Sequence, residues 1–132
     1  MKHGRDDLEW EQLRHAAADE MRELARRRDL TTYGALNTRL AEVTGWPVFD
    51  LETEGGRHAL GQLLGDVTRE DYPTSGVLLS ALCTHKGGND VGGGFFELAT
   101  QLGLLPPRSS KERHDELWVS SVSAVYASTR EG

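Results

Sequence analysis

Cys83, His85 and Lys86 close an apolar run, Val77-Leu78-Leu79-Ser80-Ala81-Leu82, and five glycines follow within the eight residues from Gly87 to Gly94. Four kinds of chemistry use such residues: a thiol nucleophile beside its base, a phosphate cradle, a metal site, or a turn that shapes a binding edge. A nucleophilic cysteine needs a base and an oxyanion hole. On a strand, positions i and i+2 share a face, so Cys83 and His85 could meet, and Lys86 would favour the thiolate. Against this, a cysteine late in an apolar run behaves as a small buried hydrophobe. Cys83 is therefore expected to be structural.

The glycines do not fit a nucleotide loop. A Walker loop places Gly-Lys-Ser/Thr after its first glycine, whereas Lys86 precedes the glycines here. A dinucleotide fingerprint needs G-x-G-x-x-G between strand and helix, and Gly87-Gly88-Asn89-Asp90-Val91-Gly92-Gly93-Gly94 does not supply it. A helix starting near Phe95 would offer free N–H groups to an anion, but Asp90 opposes one. The expectation is a surface loop turning at Asn89-Asp90. Candidate metal ligands are Cys83, His85, Asp90, His58 and His114, without the paired spacing of a zinc module, so no metal and no cofactor is expected. His3 and His15 are read as solvent-facing, and His114 as lying on the outer side of the last helix. The pairs Asp6-Asp7 and Glu70-Asp71 read as complements to helix ends.

The elements that would position these groups follow from periodicity. Residues 7–28 place Trp10, Leu13, Ala17, Met21 and Leu24 on one helical face, closed by Arg26-Arg27-Arg28. A second helix starts at a Thr31 or Thr32 cap, with Tyr33, Leu36, Leu40 and Val43 inward, and stops before Gly45-Trp46-Pro47. Val48 to Leu51 is a connector or a short helix start. A third helix spans 52–69 with Leu60, Leu64 and Val67 inward. It begins near Gly55-Gly56 and carries Gly61 and Gly65 within it, where close helix packing would explain them. Tyr72-Pro73-Thr74-Ser75-Gly76 reads as a turn and Gly76–His85 as the best strand. Phe95, Phe96, Leu98 and Leu102 fit a strand followed by a turn or a short helix ending at Gly103, and the propensity of Glu97 to Leu102 favours the helix. After Pro106-Pro107, Ser109 or Ser110 caps a last helix with Trp118, Ser121, Val122, Val125 and Tyr126 inward. The expected core includes Trp10, Tyr33, Leu36, Leu40, Leu60, Leu64, Leu79 and Trp118.

The chain's 132 residues suit one domain, with a core over about 7–129. Net charge is −6, from 21 acidic and 15 basic residues, which disfavours a general polyanion binder. One cysteine excludes an internal disulfide and fits a reducing cytoplasm. Met1 to Asp7 leads into no apolar core, so no signal peptide is expected, and no apolar run reaches membrane-spanning length.

Two resemblances extend this reading. The segments 32-TYGAL-36, 77-VLLSALCTHKGG-88, 92-GGGFFELATQLG-103 and 118-WVSSVSAVY-126 are similar to an uncharacterised bacterial family without assigned activity. The stretch from Thr32 to Gly94 also resembles the winged-helix part of alkyltransferase-like proteins, through 32-TYGAL-36 and 58-HALGQLL-64. That family's Pro-Cys-His-Arg motif is absent, since Thr84 separates Cys83 from His85, and alkyl-acceptor chemistry is not implied.

The fold expected is α+β and helix-rich: a winged-helix-like core with a short β-hairpin or strand pair and an added C-terminal helix. Its third helix would present Arg57, His58 and Gln62. Its wing would present His85, Lys86 and Asn89, and Arg39 on the second helix would add a phosphate contact. The function expected is a non-catalytic, cytoplasmic macromolecule-binding module of accessory, regulatory or immunity type, with a protein partner slightly ahead of DNA. An enzyme centred on Cys83 and His85 is the third reading, and a homodimer is compatible with the sequence.

Overall fold

The computed structural model describes residues 2–84 and 93–129. Over these residues the chain forms five α-helices and one pair of two-residue strands, a helix-rich α+β arrangement. The first helix, α1 (Asp7–Arg27), is capped by Asp6, whose carboxylate accepts from the Glu9 amide at 2.8 Å. Its five predicted inward residues are all buried, and α1 is a central post against which three of the other helices pack. It ends at Arg28 in the left-handed region, φ 53°, where the Arg28 amide reaches Ala25 O.

Strand β1 (Thr31–Thr32) leads directly into α2 (Tyr33–Thr44), with the Thr32 hydroxyl accepting from the Ala35 amide as N-cap. Leu36 and Leu40 are buried as expected. Val43 is not: it is 57% exposed, because Gly45 ends the helix two residues later and the chain leaves before any element covers that face. Asn37 takes a core position beside Leu36 and Leu40 instead.

Helix α3 (Glu54–Ser75) is longer than its sequence pattern. The expected turn at Tyr72–Gly76 is helical up to Ser75, with Pro73 in the last turn. Proline there removes one backbone hydrogen bond, that to Arg69 O, and the helix stops two residues later at Ser75, capped by Gly76 at φ 72°. Glu70 and Asp71 consequently lie inside α3, where they pair with Arg14 and Arg22 of α1, the latter at 3.1 Å. They bind helix to helix rather than complementing a helix end.

The largest departure is the predicted strand Gly76–His85. Leu79–Leu82 forms a turn of 3-10 helix, and strand β2 is limited to Cys83–Thr84. Leu78 to Leu82 are all buried, and they divide by threes. Leu79 and Leu82 enter the main core with α1, α2 and α3, whereas Leu78 and Ala81 enter a second cluster with Phe95, Ala99 and Leu105. An alternating strand would sort these residues by twos, and would put Leu79 and Leu82 on opposite faces, as it would Leu78 and Ala81. The Ser80 amide donates to the Thr68 hydroxyl at 3.2 Å, fixing the turn to α3. Strands β1 and β2 pair in parallel, Thr31 with Cys83 and Thr32 with Thr84, and form no hairpin with each other.

Helix α4 (Gly93–Gln101) confirms the helical reading of Phe95 to Leu102, and Ser110 caps α5 (Lys111–Ala127). Ser121 and Val125 are buried, while Trp118, Val122 and Tyr126 are half-buried. Trp118 sits at the edge because its indole N–H must reach Ala81 O, at 2.9 Å, which ties α5 to the 3-10 turn. Tyr33, expected in the core, is also half-buried. His114 does not face outward: its ring stacks on Phe96 at 4.3 Å between centroids. Among the described residues no helix is long and apolar enough to cross a membrane.

Candidate binding groove

Helix α3 turns a polar stripe away from the core. Arg57, His58, Gly61, Gln62, Gly65 and Arg69 recur at helical steps, and all of them line one groove. Tyr33 of α2 and the Glu54-Gly55 start of α3 close one end. Gly94, Glu97 and Leu98 of α4 form the opposite wall. The groove volume is about 950 Å³.

Several of these side chains are held in place. Arg57 donates to Leu51 O at 2.9 Å. Arg69 donates to Gln101 Oε1 at 2.9 Å and lies 3.6 Å from Asp66, which joins α3 to α4. The N-terminal residues fold back as a small turn, with Lys2 and Arg5 exchanging two backbone hydrogen bonds of 2.9 Å. That turn sets His3 against the groove's edge, 2.7 Å from Gln62 Oε1 and edge-on to the His58 ring. Both signs of charge line the groove: Arg57 and Arg69 face Glu54 and Glu97.

Beneath the groove lies a small recess of about 30 Å³. The two share Tyr33, Gly61, Gly65, Gly94 and Leu98, so the recess is the groove's inward extension between α3 and α4. Ser80 and Cys83 reach it from the 3-10 turn and β2. The glycines make this space. A β-carbon at Gly65 would stand 3.0 Å from the Arg69 guanidinium, and one at Gly61 would stand 3.4 Å from the Tyr33 hydroxyl. Ser80 is 7% exposed, and its hydroxyl has no hydrogen-bond partner among the described residues.

Burial pushes the Cys83 thiol up to about 12. Burial, with the Cys83 sulfur second, also pushes Tyr33 up to about 12. At neutral pH Cys83 is thus a protonated thiol, the opposite of an activated nucleophile. Among the described residues no three His, Cys, Asp or Glu side chains are grouped to hold a metal ion.

Of the binding residues expected from sequence, the fold gathers Arg57 and His58, together with Gln62, in the groove. Arg39 stands apart on α2, 3.8 Å from Glu20 of α1. His85, Lys86 and Asn89 lie outside the described residues, as does Gly87–Gly92 of the glycine loop. Sequence reasoning missed Arg69, Glu97 and Ser80. The available signal was the i,i+4 spacing of Gly61 and Gly65, which marks where something approaches a helix closely.

No protein-family model matches the chain, and no curated protein or solved structure matches it.

Proposed function

We propose that this chain is a non-catalytic binding module that holds a segment of a protein partner in the groove between α3, α4 and Tyr33, in an accessory, regulatory or immunity-type role. The observation that carries the reading is the groove's composition. Its volume of about 950 Å³ suits several residues of an extended chain. Its wall alternates Arg57 and Arg69 with Glu54 and Glu97, adds the amide of Gln62, and exposes glycines to which a second backbone can come close. Mixed charges recognise a polypeptide better than a phosphate backbone, which is bound by uniform positive charge. The net charge of −6 favours the same choice.

One observation supports DNA as a second reading. The element order helix, strand, helix, helix, strand resembles that of a winged-helix core, and α3, the third helix in that order, exposes Arg57 and His58. Glu54 and Glu97 in the same groove weigh against it.

Site-specific photo-crosslinking separates the two. A photoreactive residue at Gln62 should give a discrete polypeptide adduct in cells producing the full chain, and one at Arg39 should not. Duplex DNA should show no saturable anisotropy change at low salt. Saturable, salt-sensitive DNA binding abolished by Arg57→Glu would replace the protein-partner reading.

A further inference from the structure

We infer that the N-terminal turn, Lys2 to Arg5, is a displaceable latch at the edge of the groove, and that a partner segment docks by placing a cationic side chain of its own where Lys2 stands, over Trp10 and beside Asp66; this rests on the protein-binding reading above and gives the partner a charge.

The turn has an anchor, a hinge and an outer end. Arg5 is the anchor. It is 9% exposed, and its guanidinium donates to Val48 O at 3.1 Å, pairs with Glu9 and lies over the Phe49 ring. Gly4 is the hinge, at φ 78° and with nothing within 4 Å of a β-carbon built there. Lys2 and His3 are the outer end, and both are exposed. His3 also has positive φ, 53°, where a residue with a side chain is strained. Its contacts to α1 and α3 offset that strain, and opening at Gly4 relaxes it while Arg5 stays in place.

What the outer end covers is fit for recognition. The Lys2 ammonium stands 5.6 Å from the centre of the Trp10 ring, and the His3 ring lies 5.7 Å from it. Beneath them Trp10 is only 5% exposed. A cation over tryptophan is attracted to the ring face, and tryptophan is prominent among residues that carry binding energy. Asp66 Oδ2 accepts from both the Trp10 indole N–H, at 3.1 Å, and the Lys2 ammonium, at 3.2 Å. His3 meanwhile engages Gln62 Oε1, an amide of the groove wall, and touches His58. The turn thus sits on the partner's surface as an internal occupant, and Lys2 shows the chemistry that fits there.

The latch also stands between two hollows. A second cleft of about 400 Å³ follows the seam of α1 and α3, lined by Lys2, Trp10, Arg14, Asp66 and Glu70 among others, and it shares Arg69 with the groove. Displacing Lys2 and His3 would join the two along α3. With Lys2 gone, Glu11, Asp66 and Glu70 face only Arg14 and Arg69 in the cleft, an acidic excess that favours an incoming cation.

The test opens the latch and then offers its own sequence back. In the ¹⁵N-labelled full chain, Lys2→Gln combined with His3→Ala removes the contacts and defines the open positions of two signals. These are the Trp10 indole N–H, identified by its loss in Trp10→Phe, and the Gln62 side-chain amide. Gly4→Val leaves the contact residues intact and strains only the hinge, so it should move both signals toward the open positions. The peptide acetyl-Lys-His-Gly-Arg-amide is then titrated into each form. It should shift the Trp10 indole in both open variants and need about tenfold more in the unmodified chain, where the tethered turn competes. The same peptide with Glu in place of Lys should leave the signal in place. If Gly4→Val keeps both signals at their closed positions, the turn is a fixed part of the fold and the latch is overturned. Open variants that ignore the Lys peptide, or respond equally to the Lys and Glu peptides, would overturn the cationic partner. The Gln62 crosslink decides the groove independently of all these outcomes.

Discussion

The side-chain amide of Asn37 and the backbone of Phe49 exchange two hydrogen bonds, each 2.8 Å: Asn37 Nδ2 donates to Phe49 O, and the Phe49 amide donates to Asn37 Oδ1. Asn37 thus acts as a substitute strand neighbour for a loop that has none. It delivers the Phe49 ring into the core, edge-on to Trp10 at 6.3 Å and beneath the Arg5 guanidinium at 4.1 Å. The same loop runs on to Leu51, whose carbonyl holds Arg57, so the clasp also sets one wall of the groove.

Asn37→Ala should cost about 2–4 kcal/mol, since it leaves a buried N–H and a buried C=O unpaired. Urea unfolding measures it. A loss below about 0.5 kcal/mol, the usual surface range, would show that the loop re-pairs with water and that the clasp is dispensable.

Gly55 and Gly56 should respond in opposite directions to the same change. A β-carbon at Gly56 would stand 1.8 Å from the Asp50 carbonyl oxygen, whereas nothing lies within 4 Å of one at Gly55. Gly55→Ala should be neutral or stabilise by up to about 1 kcal/mol through helix propensity. Gly56→Ala should force the Asp50 turn away and lower the unfolding midpoint sharply. Equal midpoints for the two variants would count against this close approach.

Leu60 is fully buried and Val43 is 57% exposed. Leu60→Ala should therefore cost about 2–5 kcal/mol, and Val43→Ala should stay within about 0.5 kcal/mol. Chemical denaturation of both, with unchanged m-values, checks the core assignment.

The Cys83 thiol gives a pH signature. Its folded value of about 12 lies above the ordinary 9, so the unfolded chain loses the proton first. Below pH 9 both states hold the proton and stability is at its full value. Between pH 9 and about 12 the unfolded state binds fewer protons, and stability falls by up to about 1.4 kcal/mol per pH unit from this group. Cys83→Ala should remove that component, making the decline shallower above pH 9. Native Cys83 should also react with a thiol reagent only as fast as the protein opens. Labelling faster than free cysteine at neutral pH would restore the nucleophile.

Much of the helical frame was legible in the sequence. Trp10, Leu13, Ala17, Met21 and Leu24 lie on one stripe, and Thr32 and Ser110 are capping residues with polar side chains placed three residues before the amides they accept from. These features are local: the period of a helix and the reach of a cap are fixed within a few residues, so the chain states them directly. Gly61 and Gly65 also announced a close approach, without saying to what.

The 3-10 turn was illegible because Leu78 to Leu82 is apolar at nearly every position. A run without contrast carries no period, and only the two clusters on either side of it decided that Leu79 and Leu82 go one way and Leu78 and Ala81 the other. The groove belongs to the same class. Arg57, His58 and Gln62 were readable as an exposed helical face, but Arg69 becomes a groove residue only because Gln101 of α4 is there to hold it. Ser80 becomes notable only because burial removes its water and no neighbour replaces it. By itself the sequence determined which surfaces must be buried. The tertiary structure decided which polar groups those buried surfaces bring together, because the partners come from residues far apart in the chain and no local pattern encodes their meeting.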